Sequence, residues 1–319
     1  MTRRRLVLAL GLCPLLAGAE TVRRIAVLYY GTRTMRADLD AFVEGLRDLG
    51  WVEGHNLALD VHYAEGQTER FEALAADAMA RKPDLIFAMN TPAAHAAKAV
   101  AGDIPIVMAA VSDPVSSRLV ASLAHPGGNI TGLSQLAPEL SAKRVDMLKQ
   151  VVPGLSRLGV LWNLRNEGMH LRFREVNAVA PNLGIRVLSF GVRGPDEFTE
   201  AFAAMTREHP QAILVMADTV TLGQRQRTVE FARTHRIPAI YEMREFVDAG
   251  GLISYGINLP AHYRRAASYV NRVLKGAKPA DLPIELPTEF ELVVNLKAAR
   301  ALGIIIPQPV LIRADQVIE

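Results

Sequence analysis

The chain has 319 residues, of which 50% are hydrophobic, 22% charged and 6% aromatic. This composition is typical of a folded protein of one or two domains and excludes a disordered chain. The formal charge of +3 would favour an acidic partner such as nucleic acid, but Arg3, Arg4 and Arg5 account for all of it. Without these three arginines the 36 basic residues fall to 33 and balance the 33 acidic ones, so we expect no binding to nucleic acid.

The first 19 residues have the three-part pattern of a secretory signal peptide. The arginines precede an apolar run at 6–16, and small residues at 17–19 supply a cleavage site near Ala19. The run is shorter than the roughly 20 residues that cross a bilayer. Cys13, the only cysteine, follows the bulky Leu12, which fits a lipoprotein signal poorly. We therefore expect a periplasmic, thiol-free mature protein without a lipid anchor; lipidation or a merely disordered start are the alternatives.

Short apolar runs alternate with amphipathic stretches from residue 23 onward, which predicts βα units and parallel sheets. The first series comprises strands at 24–30, 57–63, 84–90, 104–111 and 130–134, with helices at 39–49, 71–78 and 91–101. The second comprises strands at 158–162, 186–190, 212–216, 239–241 and 252–255, with helices at 141–151, 169–183, 196–208 and 222–235. Two successive series indicate two similar lobes rather than one wide sheet.

The C-terminal tail departs from this rhythm. It consists of a helix at 262–274, a proline-rich extended segment at 278–287, a strand at 290–294, a helix at 296–302 and a last segment at 311–318. A lone helix followed by an extended crossing and another βα unit predicts a chain that returns to both lobes. Several crossings of this kind would form a hinge, with a cleft between the lobes.

Catalytic and metal-binding motifs are absent from the sequence. It contains no G-x-S-x-G elbow, no phosphate-binding loop, no G-x-G-x-x-G after the first strand and no H-E-x-x-H. The eight histidines show no metal-ligand spacing on one predicted helix face, and Ser134 and Ser254 have no assignable base. We therefore expect neither an enzyme nor a bound metal or cofactor.

The carboxyl ends of the predicted strands are the expected ligand site, because ligands of open α/β sheets bind there. These positions combine tyrosines, neutral hydrogen-bonding groups and acids, which suits a small polar ligand that carries both charge signs. The candidate ligand-binding residues are Tyr30, Asn90, Thr91, Ser112, Asp113, Gln135, Asn163, Asp218, Thr219, Tyr241, Glu242 and Tyr255.

The candidates have separate expected roles. Thr91 is expected to cap a helix whose free N–H groups favour a ligand carboxylate, although plain capping explains it equally well. Asp113 could cap a following helix or pair with a ligand ammonium. Asp218 and Glu242 are the second lobe's candidates for that ammonium, since a buried acid needs a cation. The tyrosines could line the cleft or pack at strand ends.

Five segments resemble one known family. The run GLRDLGWVEGHN at 45–56 is similar to a hallmark of the ABC-transporter substrate-binding proteins related to the tryptophan-binding receptor. The others are SDPV at 112–115, HPGGNITG at 125–132, LKGAKPADLP at 274–283 and PTEFELVVN at 287–295. They span the whole mature chain in order, but the family is too broad to specify a ligand.

The resemblance implies a type I periplasmic-binding-protein fold, which is an α/β fold of two doubly wound Rossmann-like lobes. Three crossover segments, expected near 132–137, 256–259 and 282–286, join the lobes. Lobe 1 would then comprise residues 20–134 and 259–283, and lobe 2 residues 135–258 and 284–319, after a signal peptide at 1–19.

The resemblance also implies a place for the ligand. Better-known members bind aromatic or other amino acids between the lobes, near positions that match Asn90-Thr91, Ser112-Asp113 and Asp218-Thr219. Those members tend to have Asp-Asn at the last pair, so the departure at Thr219 means that the same ligand, tryptophan above all, is not implied.

The expected function follows from export, cleft and resemblance together. We expect the solute-binding component of an ABC importer, a monomer that closes on a small zwitterion such as an amino acid and docks transiently to a membrane permease. The alternatives are a ligand-sensing receptor without transport and an exported α/β enzyme, because fold alone does not decide function.

Overall fold

The structure is a computed structural model that describes residues 22–34, 36–135 and 138–319. The predicted signal peptide, with Cys13, lies outside the described residues. The strands are β1 (Arg23–Tyr29), β2 (Leu57–Tyr63), β3 (Leu85–Ala88), β4 (Ile106–Val111), β5 (Ile130–Ser134), β6 (Arg157–Asn163), β7 (Arg186–Val192), β8 (Ala212–Val215), β9 (Ala239–Tyr241), β10 (Ile253–Ile257), β11 (Phe290–Asn295) and β12 (Gln316–Ile318).

The α-helices follow the predicted order. They are α1 (Ala37–Asp48), α2 (Phe71–Ala80), α3 (Thr91–Val100), α4 (Pro138–Val151), α5 (Glu167–Val179), α6 (Phe198–Glu208), α7 (Thr219–Gly223), α8 (Arg225–Thr234), α9 (Arg244–Asp248), α10 (Leu259–Leu274), α11 (Leu296–Leu302) and α12 (Gln308–Ile312). Within the described residues, none has both the length and the apolar character needed to cross a bilayer.

Two separate sheets form the cores of two lobes. Lobe 1 contains the parallel sheet β2-β1-β3-β4-β5, and lobe 2 contains the sheet β12-β11-β10-β9-β8-β6-β7. The second sheet is parallel except where β10 and β11 pair antiparallel, at the point where the chain re-enters it. Continuous burial along β1, β3 and β4 explains their apolar runs, since helices cover both faces of a parallel sheet.

The chain passes between the lobes three times, as predicted. The first crossing follows β5, and the second runs directly from β10 into α10, which packs on α1, β4 and β5 of lobe 1. On the third, the backbone of Glu285 bonds to Gly132 and Ser134 of β5 before the chain enters β11. The tail therefore supplies a helix to lobe 1 and a βα unit to lobe 2.

Two local expectations were wrong. The helix predicted at 222–235 is two helices, α7 and α8, because Asp218 caps a short helix that starts three residues earlier and ends at Gly223. Asp113 caps no helix: its carboxylate accepts the N–H groups of Val115 and Ser116 in a turn.

Candidate functional site

A cavity lies between the two sheets, beyond the carboxyl ends of strands from both lobes. Its volume is about 440 Å³ when the space open to solvent is included. We call it the cleft cavity. The predicted residues that line it are Tyr30, Asn90, Thr91, Ser112, Gln135, Asp218 and Thr219.

A distortion at the end of β4 shapes the lobe 1 wall. The β4–β5 register shifts between Met108 and Val111, and Ala110, which lines the cavity, has a left-handed φ of 57°. Gly132 in β5 makes this possible, because a Cβ there would collide with the Met108 carbonyl. The distortion sets the course of the chain into Ser112.

Helix α3 begins at the cavity. We expected Thr91 to cap it, but the cap is Asn90. The Asn90 side-chain oxygen accepts the Ala93 N–H at 2.8 Å. The Thr91 hydroxyl instead accepts the backbone N–H of Ser112 at 3.2 Å, which ties the end of β4 to the start of α3. The prediction placed the cap one residue late because both residues are common N-caps.

Helix α5 begins at the same cavity from the opposite lobe. Asn166 caps it by accepting the Gly168 N–H at 3.1 Å, and Asn166 also lines the cavity. Each capping asparagine accepts two N–H groups of its helix, one with its side chain and one with its backbone carbonyl, and Pro92 of α3 has no N–H group. The amino ends of α3 and α5 carry a partial positive charge. Their meeting at one cavity creates a site that favours an anionic group.

Asp218 places a carboxylate on the lobe 2 wall. One oxygen accepts the N–H groups of Val220 and Thr221 at 2.9 and 3.1 Å, and the other accepts the side chains of Asn163 and Asn166 at 2.6 and 3.3 Å. Burial raises its pKa although all four hydrogen bonds oppose the rise. Within the described residues, no cationic side chain pairs with it.

Glu242 differs from Asp218, because two arginines neutralise it. Arg144 and Arg172 donate to its two oxygens at 2.9 and 2.6 Å, and the Ala217 N–H donates at 3.0 Å. Burial would raise the Glu242 pKa, but the guanidiniums of Arg172 and Arg144 hold it below its usual value. Glu242 was predicted to pair with a ligand ammonium, and the structure gives it two arginine partners instead.

A second cavity adjoins the first and contains this ion cluster. Arg172 also donates to the side-chain oxygen of Gln135 at 2.7 Å, so the cluster reaches the first crossover. Asp113 lines this second cavity, together with Ser112 and Gln135, and not the cleft cavity. Asp113 therefore shares a cavity with the two arginines and does not line the cavity that contains Asp218.

Three other predicted residues lie outside the cleft cavity. Tyr241 is buried in lobe 2 with its ring stacked on Phe246 at 4.8 Å, and Tyr255 packs near Phe290. Tyr241 and Glu242 are adjacent, and neighbouring residues along an extended chain point to opposite faces, which explains why only Glu242 faces the cleft side. Asn163 acts indirectly, through its bond to Asp218.

Tyr30 belongs to a buried polar group in lobe 1. Its hydroxyl donates to Asp38, which is 5% exposed at the start of α1. Burial raises the pKa of Asp38 to about 7; the Tyr30 bond opposes this rise, and Glu245 of lobe 2 adds to it. Tyr263 closes the same wall by donating to the Met89 carbonyl at 2.7 Å.

The mouth of the cleft has opposite charges on its two rims. Glu69 and Glu72 line it from lobe 1, and Arg165 and Arg193 line it from lobe 2. All four are exposed. Within the described part of the chain, no group of histidine, cysteine, aspartate and glutamate side chains is arranged to hold a metal ion.

Comparison with known proteins identifies the family. The family model described as ABC transporter substrate binding protein matches residues 26–318. The chain belongs to this family. One relative of this substrate-binding protein, the tyrosine-binding protein of Clostridioides difficile, is 28% identical over 262 residues, which are 82% of this chain and 75% of the relative.

Solved structures of relatives confirm the type I periplasmic-binding-protein fold. The ABC domain from Streptococcus pneumonia in complex with L-Trp is 29% identical, with a TM-score of 0.88 over 93% of this chain and 100% of that one. The ligand-free, open structure of a substrate-binding protein with adhesive properties from Clostridium difficile is 25% identical, with a TM-score of 0.69 over 93% and 99% of the two chains.

The sequence did not reveal several site residues of this substrate-binding protein. Arg144 and Arg172 lie on helices α4 and α5, 98 and 70 positions from Glu242, so no spacing rule connects them. Asp38 is indistinguishable in sequence from an ordinary acid in a first helical turn. Asn166 had a usable signal, since Asn precedes an amphipathic helix there.

Proposed function

We propose that this chain is the solute receptor of an ABC importer and binds a free amino acid in the cleft cavity. The observation that carries the proposal is the carboxylate of Asp218, which has no cationic partner among the described residues. It faces a cavity where two helix amino ends meet. An α-amino acid supplies the two charges that such a cavity lacks.

The ammonium half of the site is Asp218. Its neutral donors hold the carboxylate in place without cancelling its charge. An ionised carboxylate removed from water is costly unless a cation meets it. A ligand ammonium would remove this cost on closure, whereas Glu242 already has two cationic partners.

The carboxylate half is the meeting point of α3 and α5. Asn90 and Asn166 fix the two helix starts, and Ser112 lies between them with its N–H engaged by Thr91. A ligand carboxylate at this point would be attracted by the partial positive charge of the two helix amino ends.

The remaining wall is suited to a large apolar or aromatic side chain. It is formed by Met89, Leu222, Met243, Leu259 and the rings of Tyr30 and Tyr263. The names of the relatives, one a tyrosine-binding protein and one crystallised with L-Trp, support an aromatic amino acid as the first candidate.

Import is the proposed use of this binding. The predicted signal peptide would place the mature chain in the periplasm, and contacts that only the closed form makes with the ligand would drive closure. The closed receptor would then dock transiently to a membrane permease.

The test is a calorimetric titration of residues 20–319 with L-tyrosine, L-tryptophan and the other amino acids, for the wild type and Asp218→Asn. We expect one amino acid to bind and Asp218→Asn to weaken it at least about 30-fold, because loss of one partner of a desolvated charge pair costs about 2–5 kcal/mol. Asp196→Asn, which alters an exposed acid of the same lobe, is the control. Binding of a sugar or purine and of no amino acid would overturn the proposal.

A further inference from the structure

Gly168 lies where the two lobes come closest. It is in the first turn of α5, and it is buried although this end of the helix faces the cleft. A Cβ on Gly168 would lie 2.6 Å from both Cβ and Oγ of Ser112, which belongs to the opposite lobe. Cβ atoms do not approach other atoms this closely, so any side chain at 168 would require movement.

The backbone of Gly168 does not itself require glycine. Its φ lies outside the left-handed region, so alanine could adopt the same conformation. Glycine is a poor helix former, and alanine would favour the helix. The next nearest atom to an added Cβ is the side-chain oxygen of Asn166 in lobe 2, at 3.3 Å. The contact with Ser112 is therefore the reason that the structure offers for a glycine.

Ser112 is in no position to move aside. It is buried, and its N–H is bonded to Thr91 at the start of α3. The strained end of β4 fixes the residues immediately before it. A side chain at 168 can thus be relieved only by separation of the lobes, which are joined through the crossovers.

We propose that Gly168 sets how closely the two lobes approach and so permits the closure that holds the ligand, an inference that rests on the proposed binding function. Gly168 is a positioning residue: it touches the opposite lobe rather than the ligand. In Gly168→Ala, each lobe folds normally and the fully closed form is lost.

Gly168→Ala should weaken amino-acid binding about tenfold or more, since one methylene inserted into a packed contact opposes closure by that amount. Ser112→Gly removes both atoms that the new methyl would meet. The double variant Ser112→Gly/Gly168→Ala should therefore bind within about threefold of Ser112→Gly alone, a coupling expected only for residues in contact. Gly223→Ala, in a helix of the same lobe with nothing within 4 Å of the added Cβ, is the control.

A second measurement needs no ligand. Cysteines introduced by Glu69→Cys and Arg165→Cys lie on opposite rims of the mouth, and the mature chain has no other cysteine. A short bismaleimide should cross-link the two cysteines when the lobes approach each other. Because the cross-link is irreversible, even a rarely populated closed form accumulates as cross-linked protein. We expect Gly168→Ala to slow cross-linking. Adding Ser112→Gly to Gly168→Ala should restore the rate.

The two arms separate the two claims. Failure of the wild type to bind any amino acid would overturn the proposed ligand, and cross-linking would still test Gly168. Equal cross-linking rates in wild type and Gly168→Ala, or a loss of affinity that persists undiminished in the Ser112→Gly background, would overturn the role of Gly168. Thermal unfolding of each single variant checks that the fold is kept.

Discussion

Three acids near the cleft differ in the direction or the cause of their pKa shifts, because their surroundings differ. Glu242 is buried between two guanidiniums that lower its pKa, whereas burial without a cation raises the pKa of Asp218. Asp38 is almost completely buried, and the Tyr30 hydroxyl is its bonded partner. The chemistry of the cleft therefore depends on individual charged groups and their partners. The net charge of the chain does not predict it.

Asp38 makes stability depend on pH. Burial raises its pKa in the folded protein from 3.8 to about 7, so the folded state favours the protonated acid. The stability that this provides is complete below about pH 4 and is lost as the pH rises through 7. We expect Asp38→Asn, which stays neutral and can still accept the Tyr30 bond, to gain stability relative to wild type over this range.

Urea unfolding of both proteins at several pH values between about 4 and 8 measures this difference. Asp40→Asn, which alters an exposed acid in the same first turn of α1, is the matched control. A difference between Asp38→Asn and wild type that stays constant with pH would contradict the assignment.

The elements of lobe 2 are joined at the cleft by an ion cluster. Arg144 of α4 and Arg172 of α5 meet on Glu242, directly after β9, and Arg144 also donates to the Tyr255 carbonyl of β10 at 2.7 Å. The Glu242 carboxylate, which is 3% exposed, thus connects the end of β9 to α4 and α5 directly, and to β10 through Arg144.

Glu242→Gln should destabilise the protein by about 3–5 kcal/mol, because it leaves the buried Arg144 and the half-buried Arg172 without their counter-charge. Glu230→Gln, which removes an exposed i,i+3 partner of Arg233 on α8, should have little effect. Denaturant unfolding compares the two variants. Equally small losses would show that the cluster does not hold these elements together.

The elements also show what the sequence could predict. Alternating apolar runs located the strands and helices, because burial between helix layers imposes a pattern that one chain displays by itself. Helix α7 was not predicted, because its start depends on reciprocal hydrogen bonds between Asp218 and Thr221. Only half of the site was predicted, because α4, α5 and β9 meet through tertiary packing. The sequence also did not predict which of Tyr241 and Glu242 points toward the cleft. The short strand and short helix around them are too short to show a periodic pattern.

At the scale of the whole molecule, two lobes enclose a cavity. Lobe 2 lines it with the Asp218 carboxylate and the amino end of α5, and lobe 1 lines it with the amino end of α3. Closure would bring Asp38 near Glu245, and Ser112 against Gly168, so charge and packing both act on the distance between the lobes.

The central claim is that this cavity recognises both charges of an amino acid. The most direct measurement is a calorimetric titration of residues 20–319 with the amino acid that binds, its decarboxylated amine and its deaminated acid; for L-tyrosine these are tyramine and 3-(4-hydroxyphenyl)propanoate. We predict one molecule of amino acid per chain and at least about 30-fold weaker binding of each analogue, because each leaves one charged half of the site unmatched. Binding of either analogue as tightly as the amino acid would contradict the account.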